Sequence, residues 1–188
     1  MRKIFFTIII FPIVLSANFI GMNNGARSIG MGNTFVALSD EGGAVFYNPA
    51  GLARTNQFNI TASLENPYGL SDLMSGMIAI SFPTPIIRTG LAVQRINLVE
   101  TYSEQILYLS VAGIIKPKDI PIRFGVSIKH ESARVKNYQN AQNSSNIDFD
   151  IGILIDFTED LFFGYSIKNL LEPEFQFISD SDKLSKIQ

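Results

Sequence analysis

The chain has 188 residues, with no cysteine, no tryptophan and a single histidine, His130. Without cysteine there is no disulfide, no thiolate metal site and no cysteine nucleophile. One histidine excludes a metal centre built on a histidine cluster. Charge is also scarce. Charged residues make up 17% of the chain, against about 25% in ordinary soluble domains. The formal net charge is −2, so there is no basic footprint for nucleic acid. The chain contains no nucleophile elbow, zinc signature or dinucleotide fingerprint. These residues do not describe an enzyme, and no cofactor or metal is expected.

What the chain does have is apolar and aromatic: 46% hydrophobic residues, with 15 Phe and 6 Tyr. It opens on Arg2 and Lys3, then an apolar run from Ile4 to Leu15 interrupted by Thr7 and Pro12, then Ser16 and Ala17. That run is too short to span a bilayer, which needs about 20 residues. A basic start, an apolar middle and small residues after it match a secretory signal peptide over 1–17. The alternative is a buried N-terminal helix or strand. Cleavage after Ser16 and cleavage after Ala17 both fit.

The stretch Gly25–Ala53 holds six glycines, at 25, 30, 32, 42, 43 and 51, and Pro49. Glycine weakens regular helices and strands but allows tight turns and close backbone approach. The stretch therefore reads as compact and packed against something larger, and the segment 18–56 as a unit of its own. After it, period-two alternation begins. A first strand places Phe58, Ile60, Ala62 and Leu64 on one face. A second runs over 73–82 and a third over 87–96, where Arg95 falls on the apolar face, at a rim or after a bulge near Gly90. A fourth, over 105–115, is apolar on both faces. A fifth alternates Ile122, Phe124, Val126 and Ile128 with Arg123, Gly125, Ser127 and Lys129. A sixth alternates Ile147 through Phe157 with Asp148, Asp150, Gly152, Leu154 and Asp156. A seventh covers 161–168 and ends on Lys168. Connections at 83–85, 116–121 and 158–160 are short; those at 65–72, 97–104 and 130–146 are longer. That asymmetry is the layout of an outer-membrane β-barrel.

A soluble sandwich has the same alternation with its apolar face inward. Strand length separates the two. The sixth strand, at about 3.3 Å per residue and a tilt near 45°, rises about 26 Å, close to the ~25 Å apolar band of such barrels. Sandwich strands are commonly only about 5–6 residues long. Phe58, Phe82, Phe149 and Phe157 suit aromatic girdles. Arg123, Lys129, Asp148, Asp150, Asp156 and Lys168 share the polar face, which would line a lumen. Seven strands do not close: bacterial barrels have an even number, eight or more. Unpaired edges in lipid cost several kcal/mol per polar group. The expectation is a partial wall, completed by further chain or by another chain.

The run Gly25-Ala26-Arg27, Gly30-Met31-Gly32, Asp40-Glu41 and Asn48-Pro49-Ala50-Gly51-Leu52 resembles the N-terminal plug signature of FadL-like outer-membrane barrels, in the PorV/PorQ branch. Ile167-Lys168-Asn169-Leu170 is similar to a strand end found midway through such barrels. The resemblance implies an all-β, 14-stranded transmembrane antiparallel barrel, with a plug over 18–56 and about half of the wall over 57–188. It implies a plug role for Gly30, Gly32 and Gly51 and a gating role for Asn48, Pro49 and Ala50. The implied location is the outer membrane, with lipid as a partner. The implied activity is binding or transport of hydrophobic small molecules, or a platform role in type IX secretion with secreted proteins as partners. A soluble periplasmic β-sandwich binding protein is the remaining reading.

The chemical candidates resolve more simply. Asp40-Glu41 fits a turn better than a paired-carboxylate site. Asp148, Asp150 and Asp156 fit a solvated wall better than a cation site, because calcium needs 6–8 converging oxygens. His130 fits a rim position.

Overall fold

The computed structural model describes residues 25–84, 86–136, 143–172, 174–176 and 181–183. The expected leader, 1–17, lies outside the described residues, as does 18–24. Seven strands form one antiparallel meander: β1 Asn59–Glu65, β2 Leu73–Pro83, β3 Arg88–Leu98, β4 Tyr102–Ile115, β5 Ile122–Val135, β6 Ser144–Asp156 and β7 Phe162–Ile167. Each pairs with its chain neighbour, in the order β1-β2-β3-β4-β5-β6-β7. The sheet curls into a half-barrel. A separate pair, β8 Glu174–Gln176 and β9 Ser181–Lys183, does not join it.

The two faces of the half-barrel differ chemically: the convex one is largely apolar, and the concave one mixes buried apolar residues such as Ile106, Tyr108 and Leu154 with polar ones. The convex face carries exposed Ile60, Leu64, Ile78, Leu91, Leu107, Leu109, Phe124, Val126, Ile147 and Ile151. The concave face carries small and polar residues, among them Ser81, Ser110, Ser127, Lys129, Asp148 and Asp150, all 2% exposed or less. Their burial comes from the segment 25–55, which lies against the concave side as two short helices, α1 Ala26–Gly30 and α2 Ala44–Tyr47, and a 3-10 helix, Pro49–Arg54. The apolar core sits between this segment and the sheet: Phe35, Val45, Phe46 and Leu52 pack with Ala79, Ala92, Tyr108 and Ala112. The two-faced apolarity of β4 has this cause. Its inner residues belong to the core, where Phe46 and Tyr108 meet edge to face at 5.2 Å.

Several expectations are corrected. The β2–β3 and β3–β4 ladders run without interruption, so no bulge at Gly90 displaces Arg95, which is exposed on the convex face. β4 starts at Tyr102, β5 reaches Val135 and β6 starts at Ser144, so the ladders outrun the apolar alternation. Backbone pairing continues past the point where side chains on one face become polar, and periodicity cannot register that extension. As a result the β3–β4 connection shrinks to 99–101, and the two ends of the sheet differ less in loop length than expected. His130 lies within β5, facing outward and bonded to Ser145 Oγ at 2.9 Å. Phe149, expected near a strand end, lies inside β6.

Candidate functional site

The segment meets the sheet along a row of glycines. Ala112, Gly125 and Gly152 lie opposite one another on β4, β5 and β6; Gly90 and Gly164 extend the contact to β3 and β7. A Cβ at Gly125 would collide with the backbone of Pro49 and Ala50, and one at Gly152 with Asn48 Oδ1. At Gly90 it would come 2.6 Å from Val45 Cγ2, and at Gly164 2.5 Å from Ala37 Cα. At each position the segment occupies the space of a side chain, with its backbone at Gly125 and Gly164 and with its side chains at Gly90 and Gly152.

Asn48 is the central attachment. It is fully buried. Its Oδ1 accepts from Ala50 N at 3.1 Å, which caps the 3-10 helix as short polar side chains do. Its Nδ2 donates to Val36 O at 3.0 Å and to two sheet carbonyls, Ile153 O at 3.1 Å and Tyr165 O at 3.4 Å. Ile153 and Tyr165 face each other across β6 and β7, so a single amide bridges both strands to the segment. Pro49, Ala50 and Gly51 are buried beside it, with Gly51 packed against Ser39. Gly30 and Gly32 are not part of this contact. Both are exposed, with open space where a Cβ would be; Gly32 is at φ 65.

The polar-face charges divide into two groups. Near the short-turn end, Asp156 receives Arg54 from the segment and Arg123 from β5. Arg54 also donates to Ala37 O at 2.7 Å and Leu38 O at 2.5 Å, and its guanidinium lies 4.7 Å from the Phe162 ring centroid. Arg54 therefore ties segment to wall, a role that its sequence position did not suggest.

Deeper in the concave face, the Lys129 ammonium sits 3.0 Å from Asp150, 3.2 Å from Glu131 and 3.3 Å from Asp148, and Asn169 Oδ1 accepts from it. Register explains the convergence: Asp148 is directly opposite Lys129, Asp150 is diagonal to it, and Glu131 is two residues along the same strand. Asp148 also accepts from Phe149 N at 2.7 Å and Leu171 N at 2.9 Å, and Asp150 from Asn169 N at 3.0 Å. The expected solvated wall is thus corrected. Asp148 and Asp150 are buried, and the Lys129 ammonium neutralises them in part. Among the described residues no acidic cluster is arranged to hold a metal. Asn169 enters by a local irregularity. Its φ of 56 breaks the alternation after β7, so Lys168 and Asn169 both turn inward. Asparagine tolerates this left-handed backbone better than most residues. Lys168 donates to Phe46 O and lies 5.7 Å from the Tyr47 ring centroid.

Arg27 and Asp40 pair at 2.5 and 3.1 Å on the segment's exposed side, and the bond to Asp40 raises the Arg27 pKa. Asp40-Glu41 thus holds an arginine. No family model, curated protein or solved structure matches this chain.

Proposed function

We propose that the chain forms wall and plug of an outer-membrane β-barrel that binds or passes hydrophobic small molecules, with Gly25–Thr55 as the plug. The observation that carries this is the inverted polarity of the sheet. In water an exposed apolar face forfeits about 25 cal/mol per Å². In hydrocarbon the same face is well solvated, and apolar-out, polar-in alternation is the pattern of membrane barrels. A soluble sandwich needs a second sheet over the apolar face; among the described residues the only other sheet is the β8–β9 pair.

Two further features support the reading. The convex apolar run from Ile147 to Phe157 extends about 33 Å along the chain, or about 25 Å in height at a tilt near 40°. Exposed phenylalanines mark one edge of it. Phe58 and Phe82 lie side by side with centroids 5.4 Å apart. The ladder carries the Phe82 level through Thr89, Val111, Val126 and Ile151 to Ile167. Phe124 and Phe163 lie two and four residues nearer the short-turn end than that line, the stepping that tilted barrel strands require of a level girdle.

Polar contacts hold the plug at the Asn48 amide, at the Arg54–Asp156–Arg123 group, and through Lys168 and Arg88, which donate to Phe46 O and Thr55 O. Passage of a ligand along the concave side requires these to yield. The test is retention of a hydrophobic probe, such as a long-chain fatty acid, by the membrane-extracted protein, compared with Asn48→Ala. Altered retention supports the gate, and identical retention in both overturns it. Recovery of the chain as a soluble periplasmic protein overturns the barrel itself. A barrel that retains no probe, in a strain where its loss impairs protein secretion, favours the platform role instead.

A further inference from the structure

The convex face is not apolar along its whole length. Beyond Leu91 and Val93, β3 presents Arg95, and the same cross-strand row continues through Gln105, Ser132 and Ser145. The next row outward is Asn97, Ser103 and Arg134. This collar begins where the apolar band ends, which accounts for the arginine that breaks the β3 alternation.

Arg95 and Arg134 differ from every other arginine of the described residues. Arg27 holds Asp40, Arg54 and Arg123 share Asp156, and Arg88 donates to Thr55 O. Arg95 and Arg134 are exposed, and among the described residues their guanidinium groups have no hydrogen-bond or ion-pair partner. Both line one hollow of about 130 Å³, together with Ser103, Gln105, Ser132 and Glu104. Two guanidiniums against one carboxylate leave it positive. A second hollow of about 600 Å³ adjoins it, sharing Arg95 and Gln105 and walled by Leu64, Met74, Ile78 and Val93. Gly76 lies directly opposite Arg95, and its missing side chain deepens this groove.

We propose that the joined hollows hold one anionic phospholipid, with an acyl chain along the Gly76 groove and the phosphate between Arg95 and Arg134. This rests on the barrel reading. Guanidinium donors match phosphate geometry, and a cationic site at the edge of an apolar band lies at headgroup level. An apolar groove running into a cationic one fits a molecule with a tail and an anionic head.

Native mass spectrometry tests the site. The full chain is taken from its membrane into neutral detergent and offered phosphatidylglycerol and phosphatidylcholine together. One phosphatidylglycerol is expected to remain bound in preference. A basic residue at a membrane surface contributes about a fivefold gain in affinity, so Arg95→Gln with Arg134→Gln is expected to weaken retention roughly thirtyfold. Arg95→Lys with Arg134→Lys should keep most of it. Gly76→Leu, which fills the groove and leaves both arginines, should also weaken it. Equal retention of the two lipids, undiminished retention in the double glutamine variant, or release by inorganic phosphate alone overturns the site while leaving the barrel intact. A wild-type chain that does not enter membranes overturns both.

Discussion

The side chain of Asn48 occupies the space that a side chain on Gly152 would fill. The asparagine and the glycine are 104 positions apart, yet each is intelligible only through the other: one supplies the amide, the other the room for it.

Gly152 should therefore tolerate no side chain. Gly152→Val forces overpacking, which costs about 1–3 kcal/mol, and is expected to loosen the segment before the sheet unfolds. Gly113 has open space where a Cβ would sit, so Gly113→Ala should change stability by no more than about 0.5 kcal/mol. Urea unfolding of the two variants in the same detergent, with protease sensitivity of 25–55 alongside, checks the contrast.

Asn48→Ala and Asn48→Asp should both destabilise, aspartate more. Alanine removes the cap and the donated bonds. Aspartate keeps an acceptor for Ala50 N but sets a carboxylate against the Val36, Ile153 and Tyr165 carbonyls. Loss of a buried partner costs about 1–3 kcal/mol, more for a charged group. Hydrogen exchange across β6 and β7 should quicken in both variants. Equal stability of all three proteins would show that the amide is not an anchor.

Removing the Lys129 ammonium leaves Glu131, Asp148 and Asp150 together without their shared cation. Lys129→Met is expected to lose about 3–5 kcal/mol, the usual cost of breaking a buried pair. Adding Asp150→Asn should recover part of it, because one fewer uncompensated charge remains. Chemical unfolding of the single and double variants measures the recovery. No recovery would mean that packing, not charge, governs the position.

The Arg54–Asp156 and Arg27–Asp40 pairs should differ in strength. The first has side chains 10% and 18% exposed, the second 48% and 40%. Exposed pairs contribute about 0.2–1 kcal/mol and weaken with salt. A double-mutant cycle with Arg54→Gln and Asp156→Asn should give a coupling above that range, and one that persists in high salt. The matching cycle at Arg27 and Asp40 should fall within the range and fade.

Much of this was legible in the chain. Alternation at Ile122–Lys129 and Ile147–Asp156 specified strands and their two faces, because side chains on a strand point alternately up and down regardless of context. The glycine content of 25–53 announced close packing against another element. Strand ends were less legible, since hydrogen bonding runs on through Ser132, Arg134 and Ser144 without an apolar face to signal it. The charged site was half legible. Arg123, Lys129, Asp148, Asp150, Asp156 and Lys168 shared the polar face as expected, but Arg54, Glu131 and Asn169 were missed. Arg54 lies outside any strand, Glu131 lies beyond the apolar alternation, and Asn169 faces inward only because its backbone turns left-handed.

The amino-acid order by itself determined that strands form, which residues share each face, and where backbone must approach backbone, because these follow from local geometry and side-chain period. The tertiary structure decided the rest. It set which face the glycine-rich segment covers, that Gly125 and Gly152 are its landing points, and that Lys129 meets three carboxylates. Those facts depend on register between strands and on one segment folding back across the sheet, and no local period encodes either.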